Sequence, residues 1–291
     1  MVIFDAAFLR KLEYLDVVAK KILSGRIKAD RMSMRRGTSV EFEDHRSYAV
    51  GDDLRFLDWH IWGRLGEFFL KVYKEEENLQ LSVLLDCSRS MAFGKPDKFL
   101  YGRQVAAALA YIGMGNLDDA NLQPFGKELR PGMPRMRGKG KTKQMFAFLE
   151  NLATEGETDL RRSFRRFIAL ERRRGVVVVV SDLYDIDGVI PAVRYLKSRR
   201  HDVYVIHVMD REELDPPIRG DLRLVDSENG SHRDLTVTDA LRARYREAFE
   251  ANCKRVESFC QGSDVGYVRA LTNIPFDELV LKILKRGGLV A

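Results

Sequence analysis

Leu79-Gln80-Leu81-Ser82-Val83-Leu84-Leu85-Asp86-Cys87-Ser88-Arg89-Ser90-Met91 is the stretch that decides the fold. Its first seven residues are mostly apolar and lead straight into a carboxylate. They read as a buried strand that delivers Asp86 to its C-terminal end. Five consecutive valines, Val176 to Val180, repeat the pattern and end at Ser181-Asp182. A run that is apolar on both faces belongs in the centre of a parallel sheet covered by helices.

Working outward, strands and helices alternate. A helix is expected from about 97 to 115, then a short strand from Asn121 to Phe125 and a basic, Gly- and Pro-rich connection over 126 to 141. Met145, Phe148, Leu149 and Leu152 mark a second helix; Leu160, Phe164, Phe167 and Ile168 mark a third, with arginines on its other face. A helix from 185 to 200 and a strand from His201 to Val208 follow. Leu222 to Val225 and Arg233 to Val237 flank Glu228-Asn229-Gly230, a hairpin signal. Thr238 is placed to cap a long helix with Leu241, Tyr245, Phe249, Val256 and Phe259 inward. Val265 to Val268 and Ile274 to Lys285 read as a last strand and a last helix. This alternation predicts a doubly wound, mostly parallel α/β sheet with right-handed crossovers over residues 79–291. Residues 1–78 read as a separate leading part. It holds a helix over 5–25, with Phe8, Leu12, Leu15, Val18 and Ile22 at helical spacing and Gly25 as its stop, then a small β-containing segment with a strand near Phe68 to Tyr73.

Composition narrows the class. The chain has 291 residues, 45% of them hydrophobic and 32% charged, enough for a large core under a well-solvated surface. No stretch approaches the roughly 20 apolar residues that a membrane-spanning helix needs. The N-terminal helix carries Asp5, Arg10, Lys11, Glu13 and Asp16, unlike the apolar centre of a secretory signal. Of the three cysteines, Cys253 and Cys260 lie two helical turns apart, about 10 Å and too far for a disulfide. Free thiols and no signal point to the cytoplasm. The net charge of +6 is concentrated at Arg31 to Arg36, Arg130 to Lys143 and Arg161 to Arg174. No RNA- or DNA-binding motif accompanies these patches, so a solvated face is preferred to a nucleic-acid surface.

In a doubly wound sheet, sites form at the carboxyl ends of strands near the switch in strand order. Asp86, Ser88 and Ser90 stand at one such end, Asp182 at another, and Thr158-Asp159 in the loop before the third helix. Two carboxylates and three hydroxyls make an all-oxygen set suited to a hard divalent cation: Mg²⁺ first, with Mn²⁺ or Ca²⁺ as alternatives. The plainer reading, serines that merely cap the next helix, fits the short motif but not the further placement of Thr158 and Asp182.

Asp86-x-Ser88-x-Ser90, a separate Thr158 and then Asp182 resemble the complete metal-ion-dependent adhesion site of von Willebrand factor A-like domains. The upstream run Gly37-Thr38-Ser39-Val40-Glu41-Phe42, Arg46-Ser47-Tyr48, Gly51-Asp52-Asp53-Leu54-Arg55 and Leu57-Asp58-Trp59 resembles a more specific bacterial family. That is the domain-of-unknown-function family found beside MoxR-type AAA+ ATPases. The resemblance implies that Ser88, Ser90 and, in some states, Thr158 hold the ion directly, with Asp86 and Asp182 acting often through water. One departure stands out: Glu157 occupies the place of a frequent glycine before the threonine. Asp52, Asp53 and Asp58 have no assigned chemistry there and are expected to pair with Arg46, Arg55 and Arg64, while Trp59 and Trp62 are expected to pack.

Other motifs fail on their spacing. Gly138-Lys139-Gly140-Lys141-Thr142 lacks the earlier glycine of a phosphate loop, since Arg135 stands there. An aspartyl-phosphate phosphatase needs a second acid where Ser88 is found. The expectation is therefore a non-enzymatic, metal-dependent protein-binding module that grips an acidic residue of a partner. The resemblance implies a MoxR-type AAA+ ATPase as that partner, in complex assembly or chaperone-like work. The alternatives are a metal-dependent phosphoester hydrolase using Asp86 and Asp182, or a binder of nucleic acid or anionic surfaces through the arginine-rich face.

Overall fold

Helix α1 (Ala6–Asp30) starts where the Asp5 carboxylate accepts the Phe8 amide at 2.7 Å. The computed structural model describes residues 3–30, 41–49, 52–74, 80–115, 119–226 and 230–286. Phe8, Leu12, Leu15 and Ala19 form the buried stripe of α1. The helix runs past Gly25, because an interior glycine costs a helix only about 1 kcal/mol and does not by itself stop it. Two units separate in the chain: Met1–Ile22 together with Leu79–Ala291, and Leu23–Asn78.

The smaller unit pairs β1 (Glu41–Ser47) antiparallel with β2 (Phe69–Lys74). Between them lies a helix the sequence reading did not anticipate, α2 (Trp59–Leu65), capped by Asp58 through the amides of His60 and Ile61. Arg46 pairs with Asp52 and Arg55 with Asp53, both at 2.6 Å. Asp58 is met by His45 at 2.8 Å and Lys71 at 3.5 Å rather than by Arg64. Trp62 stacks on Phe68 and meets Trp59 edge-on, yet both tryptophans stay largely exposed. The run Gly37 to Val40 and the Arg31 to Arg36 patch lie outside the described residues.

The larger unit is built on six strands: β3 (Gln80–Asp86), β4 (Asp119–Phe125), β5 (Met133–Met136), β6 (Val176–Ser181), β7 (Asp202–Met209) and β10 (Gly266–Leu271). Their spatial order is β10-β7-β6-β3-β4-β5, all parallel except the edge strand β5. Counted along the chain and read from the β5 edge, this is the doubly wound order 3-2-1-4-5-6, and it reverses between β3 and β6. Both central strands are buried along their whole length, as expected for a sheet covered on two sides.

Helices α3 (Lys98–Gly115), α4 (Thr142–Glu150) and α9 (Phe276–Arg286) cover one face, joined by the start of α1 through Phe4 on Phe146 and Phe8 on Phe276. The other face carries α5 (Leu160–Leu170), α6 (Ile186–Ser198) and α8 (Asp239–Gly262), with Phe164 and Phe167 of α5 in one core with Leu84, Phe125, Val177 and Val179 of the sheet. Gly102 lets α3 press on the sheet: a Cβ there would stand 3.1 Å from Leu85 and 3.5 Å from Val180. Short helix α7 (Arg211–Leu214) follows β7, and the hairpin β8 (Gly220–Val225) with β9 (His232–Val237) precedes α8.

The 126–141 connection contains β5, which was read as loop because Met133-Pro134-Arg135-Met136 buries only its two methionines. In α8, Thr238 caps as expected, but Leu241 and Tyr245 are exposed. The buried face is Cys253, Val256 and Cys260, because only the second half of the helix reaches the sheet. The tip of the predicted hairpin at Glu228-Asn229 lies outside the described residues.

Candidate metal site

The reversal of strand order leaves a crevice at the carboxyl ends of β3 and β6, and the register brings Leu85 level with Val180. Asp86 and Ser181 therefore stand side by side, and the Ser181 hydroxyl donates to Asp86 Oδ2 at 2.6 Å. The chain then turns sharply. The Ser88 amide donates to Asp86 Oδ1 at 2.9 Å, an Asx-type turn that folds the loop back over the strand end. That turn brings the Ser88 and Ser90 hydroxyls to 2.9 Å from each other. Asp86 and Ser88 are fully buried and Ser90 nearly so.

Thr158 arrives from the loop before α5. Its hydroxyl donates to Asp86 at 3.3 Å (Oδ1) and 3.5 Å (Oδ2), long contacts that leave it loosely held. Arg130 fixes this loop against the β3 end by donating to the carbonyls of Cys87, Ala153 and Glu155 at 3.0, 2.8 and 3.0 Å. The Glu155 amide also reaches the Cys87 carbonyl at 2.9 Å, and the Arg89 amide reaches Gly156 at 3.0 Å. Glu157, the departure from the family pattern, turns outward to Lys127 at 3.0 Å. With Thr158, Asp159 and Arg161 these two line an open cleft of about 430 Å³ beside the site.

Asp182 follows β6 directly. Its Oδ2 accepts from the Lys98 ammonium at 2.7 Å, whereas its Oδ1 is buried with no hydrogen-bond partner. A buried carboxylate oxygen without a donor is costly and calls for a ligand. Burial first, and then the negative charge of Asp182, push the Asp86 carboxyl well above its ordinary value. A negative charge beside a buried carboxylate disfavours its ionised form, a cost that a nearby cation would relieve. Four of the five expected residues thus meet around Asp86: Asp86 itself, Ser88, Ser90 and Thr158. Asp182 acts on Asp86 through its charge alone, with no hydrogen bond to the other four.

The donor set fits a hard divalent cation. Ser88, Ser90, Thr158, Asp86 and Asp182 Oδ1 are all oxygens, and hydroxyls outnumber acids. Among the described residues no group of three or more His, Cys, Asp or Glu is placed to hold a metal ion. A cation here would therefore lean on hydroxyls and keep much of its charge uncompensated, open to an outside oxygen.

Sequence reasoning missed Lys98, Ser181, Glu213 and Arg130. Ser181 had a visible signal, standing at the end of the valine run beside Asp182. Lys98 had none, because a lysine at the start of an amphipathic helix normally faces water. Burial by itself would lower the Lys98 ammonium, but Asp182 and Glu213 outweigh it and raise the group above its ordinary value. His207 lies at the same strand ends, and burial pulls it down to about 4.

Comparisons with known proteins support a domain-of-unknown-function family. The family described as "Protein of unknown function DUF58" matches residues 44–255. An uncharacterized protein of Mycobacterium tuberculosis is 27% identical over 258 residues, covering 85% of this chain and 80% of that protein. An uncharacterized protein of Mycobacterium avium is 37% identical over 84 residues, 28% of this chain and 48% of its own length. Among solved structures, the conserved hypothetical protein BatB from Bacteroides thetaiotaomicron matches with a TM-score of 0.47 and 15% identity, over 71% of this chain and 98% of that one. The VWA domain of SpRpn10 matches with a TM-score of 0.40 and 13% identity, over 70% of this chain and 94% of its own.

Proposed function

The chain belongs to the DUF58 family, and from that premise we propose that it is a non-enzymatic binding module whose divalent cation grips a carboxylate of a protein partner. The observation that carries this is the buried Asp182 Oδ1 without a hydrogen-bond partner, at the strand end next to that of Asp86, whose carboxylate gathers the hydroxyls of Thr158 and Ser181. Mg²⁺ is the preferred ion, since it keeps open positions for water or an outside oxygen. Each residue has a role in this reading. Ser88 and Ser90 offer the closest pair of oxygens. Thr158, held only by long contacts to Asp86, would offer a further oxygen. Asp86 and Asp182 would hold the ion directly or through water.

Catalysis is not part of the reading. The hydroxyls of Ser181 and Thr158 donate to Asp86, and Lys98 is bound between two carboxylates. None of these is set up as a general base or a nucleophile.

The working partner in this account is a MoxR-type AAA+ ATPase, with the module acting as its cytoplasmic adaptor in complex assembly. No helix among the described residues is long and apolar enough to cross a membrane. The test is capture of that ATPase by the full chain, with and without chelator. The account expects capture that needs Mg²⁺ and is lost in an Asp86→Ala, Ser88→Ala double variant. Equal capture by that variant would remove the metal from the interaction.

A further inference from the structure

Lys98 is the feature of this site that the cation reading leaves unused. It opens α3, yet its side chain has no exposure at all. Its ammonium donates to Asp182 Oδ2 at 2.7 Å and to Glu213 Oε1. The Tyr184 ring lies 4.7 Å away and the Phe93 ring 6.0 Å away, closing off water. Glu213 is itself fixed: the Tyr184 hydroxyl donates to its Oε1 at 3.0 Å and the Asp210 amide to its Oε2 at 2.9 Å. A buried lysine is rare unless paired, and this one is paired twice.

We propose that Lys98 is the site's built-in counter-ion. It occupies one oxygen of Asp182 and presents the other, and it sets the affinity of the site for a divalent cation. This rests on the cation reading above. The argument is one of charge and position. Lys98 is held by two acids, Asp182 and Glu213, and Asp86 lies within the reach of the Asp182 charge. A carboxylate has two oxygens; the ammonium holds Oδ2, and Oδ1 is left without a donor. A cation that touches Oδ1, directly or through a water, shares one carboxylate with an ammonium. In a dry site that repulsion is strong. Lys98 therefore keeps the domain folded without a metal and keeps the free site weak. The ion becomes firmly held only when a partner adds its own carboxylate. Lys98 is a positioning residue here, acting through Asp182.

The test is Mn²⁺ binding to the full chain, read by calorimetry and by the Mn²⁺-dependent shift in thermal midpoint. Lys98→Met removes the repulsion, so it is expected to bind Mn²⁺ at least about tenfold tighter than wild type and to gain more stability from the ion. Glu213→Gln removes an acid but keeps the lysine and the shape, so it is expected to bind at least about threefold more weakly. A merely structural lysine would not move the two variants in opposite directions. Unchanged or weaker binding by folded Lys98→Met overturns the proposal. If Lys98→Met does not fold even with Mn²⁺, an unchanged affinity in Glu213→Gln overturns it on its own and a weakened one supports it. An absence of Mn²⁺ binding in wild type and both variants overturns the cation reading itself, which sets that failure apart from failure of the lysine's role.

Discussion

Arg130→Ala should loosen the site before it loosens the fold. The guanidinium donates to three carbonyls, of Ala153 at 2.8 Å and of Cys87 and Glu155 at 3.0 Å, and so ties the Thr158 loop to the end of β3. Hydrogen bonds from a charged donor contribute about 1.5–3 kcal/mol each, which gives roughly 4.5 kcal/mol for three at the low end. The side chain is 22% exposed, so water can reach part of the gap and replace some of those bonds. A net loss of about 2–3 kcal/mol is the expected outcome. Urea denaturation measures it directly, as a shift in midpoint with the slope unchanged. Hydrogen exchange adds the location: the amides of Arg89 and Glu155, bonded to Gly156 and Cys87, should exchange faster, while those inside β6 should not. Arg130→Lys should recover less than half of the loss, since an ammonium cannot span three carbonyls as a planar fork does. A stability for Arg130→Ala within about 0.5 kcal/mol of wild type would refute the clamp.

Three further outcomes follow from the same structure. His207 is held down to about 4 by burial, with an ordinary value of 6.5, so the unfolded chain takes up its proton first on acidification. Its contribution to stability is present above about pH 6.5 and lost as pH falls toward 4; His207→Gln should flatten a loss of roughly 2–3 kcal/mol over that window in denaturation series. On α5, Phe164→Ala should cost about 3–5 kcal/mol, as Phe164 is fully buried edge-on against Phe125, whereas Arg165→Ser and Arg166→Ser should stay within about 0.5 kcal/mol by the same assay. Gly175→Ala puts a Cβ 2.2 Å from the Gln80 carbonyl, so β3 and β6 must part at their start; a thermal-midpoint loss equivalent to about 1–3 kcal/mol is expected.

The central sheet was legible because its two middle strands, Leu79 to Leu85 and Val176 to Val180, are apolar on both faces and each ends at an acid. Periodicity alone then placed α3, α5, α6, β7 and the end of the chain. What escaped was written in tertiary contacts. The edge strand β5 is four residues long and contains Pro134, so it has neither a strand's length nor its composition. The exposed first half of α8 carries Leu241 and Tyr245 at helical spacing, and nothing local says that the sheet does not extend beneath them. For the site, Asp86, Ser88 and Ser90 could be read as a cluster from their alternate spacing. Asp182 could be read as the acid that ends the second buried strand and Thr158 from its place in the loop before the third helix, and the structure sets Thr158 against Asp86. Lys98 and Glu213 lie 115 residues apart and meet only in the folded chain. Arg130 looked like one charge of a basic patch, whereas it is bound to the backbone.

The claim that Asp86, Ser88, Ser90, Thr158 and Asp182 enclose one divalent cation is tested most directly by a crystal structure of the protein grown with saturating Mn²⁺, located by its anomalous scattering. The account predicts a single ion in the crevice between β3 and β6, bonded to the Ser88 and Ser90 hydroxyls at roughly 2.1–2.3 Å, with Asp182 Oδ1 now engaged directly or through a water. A folded crystal in which that crevice holds no Mn²⁺, with Ser88 and Ser90 still bonded to each other and Asp182 Oδ1 still alone, would contradict it.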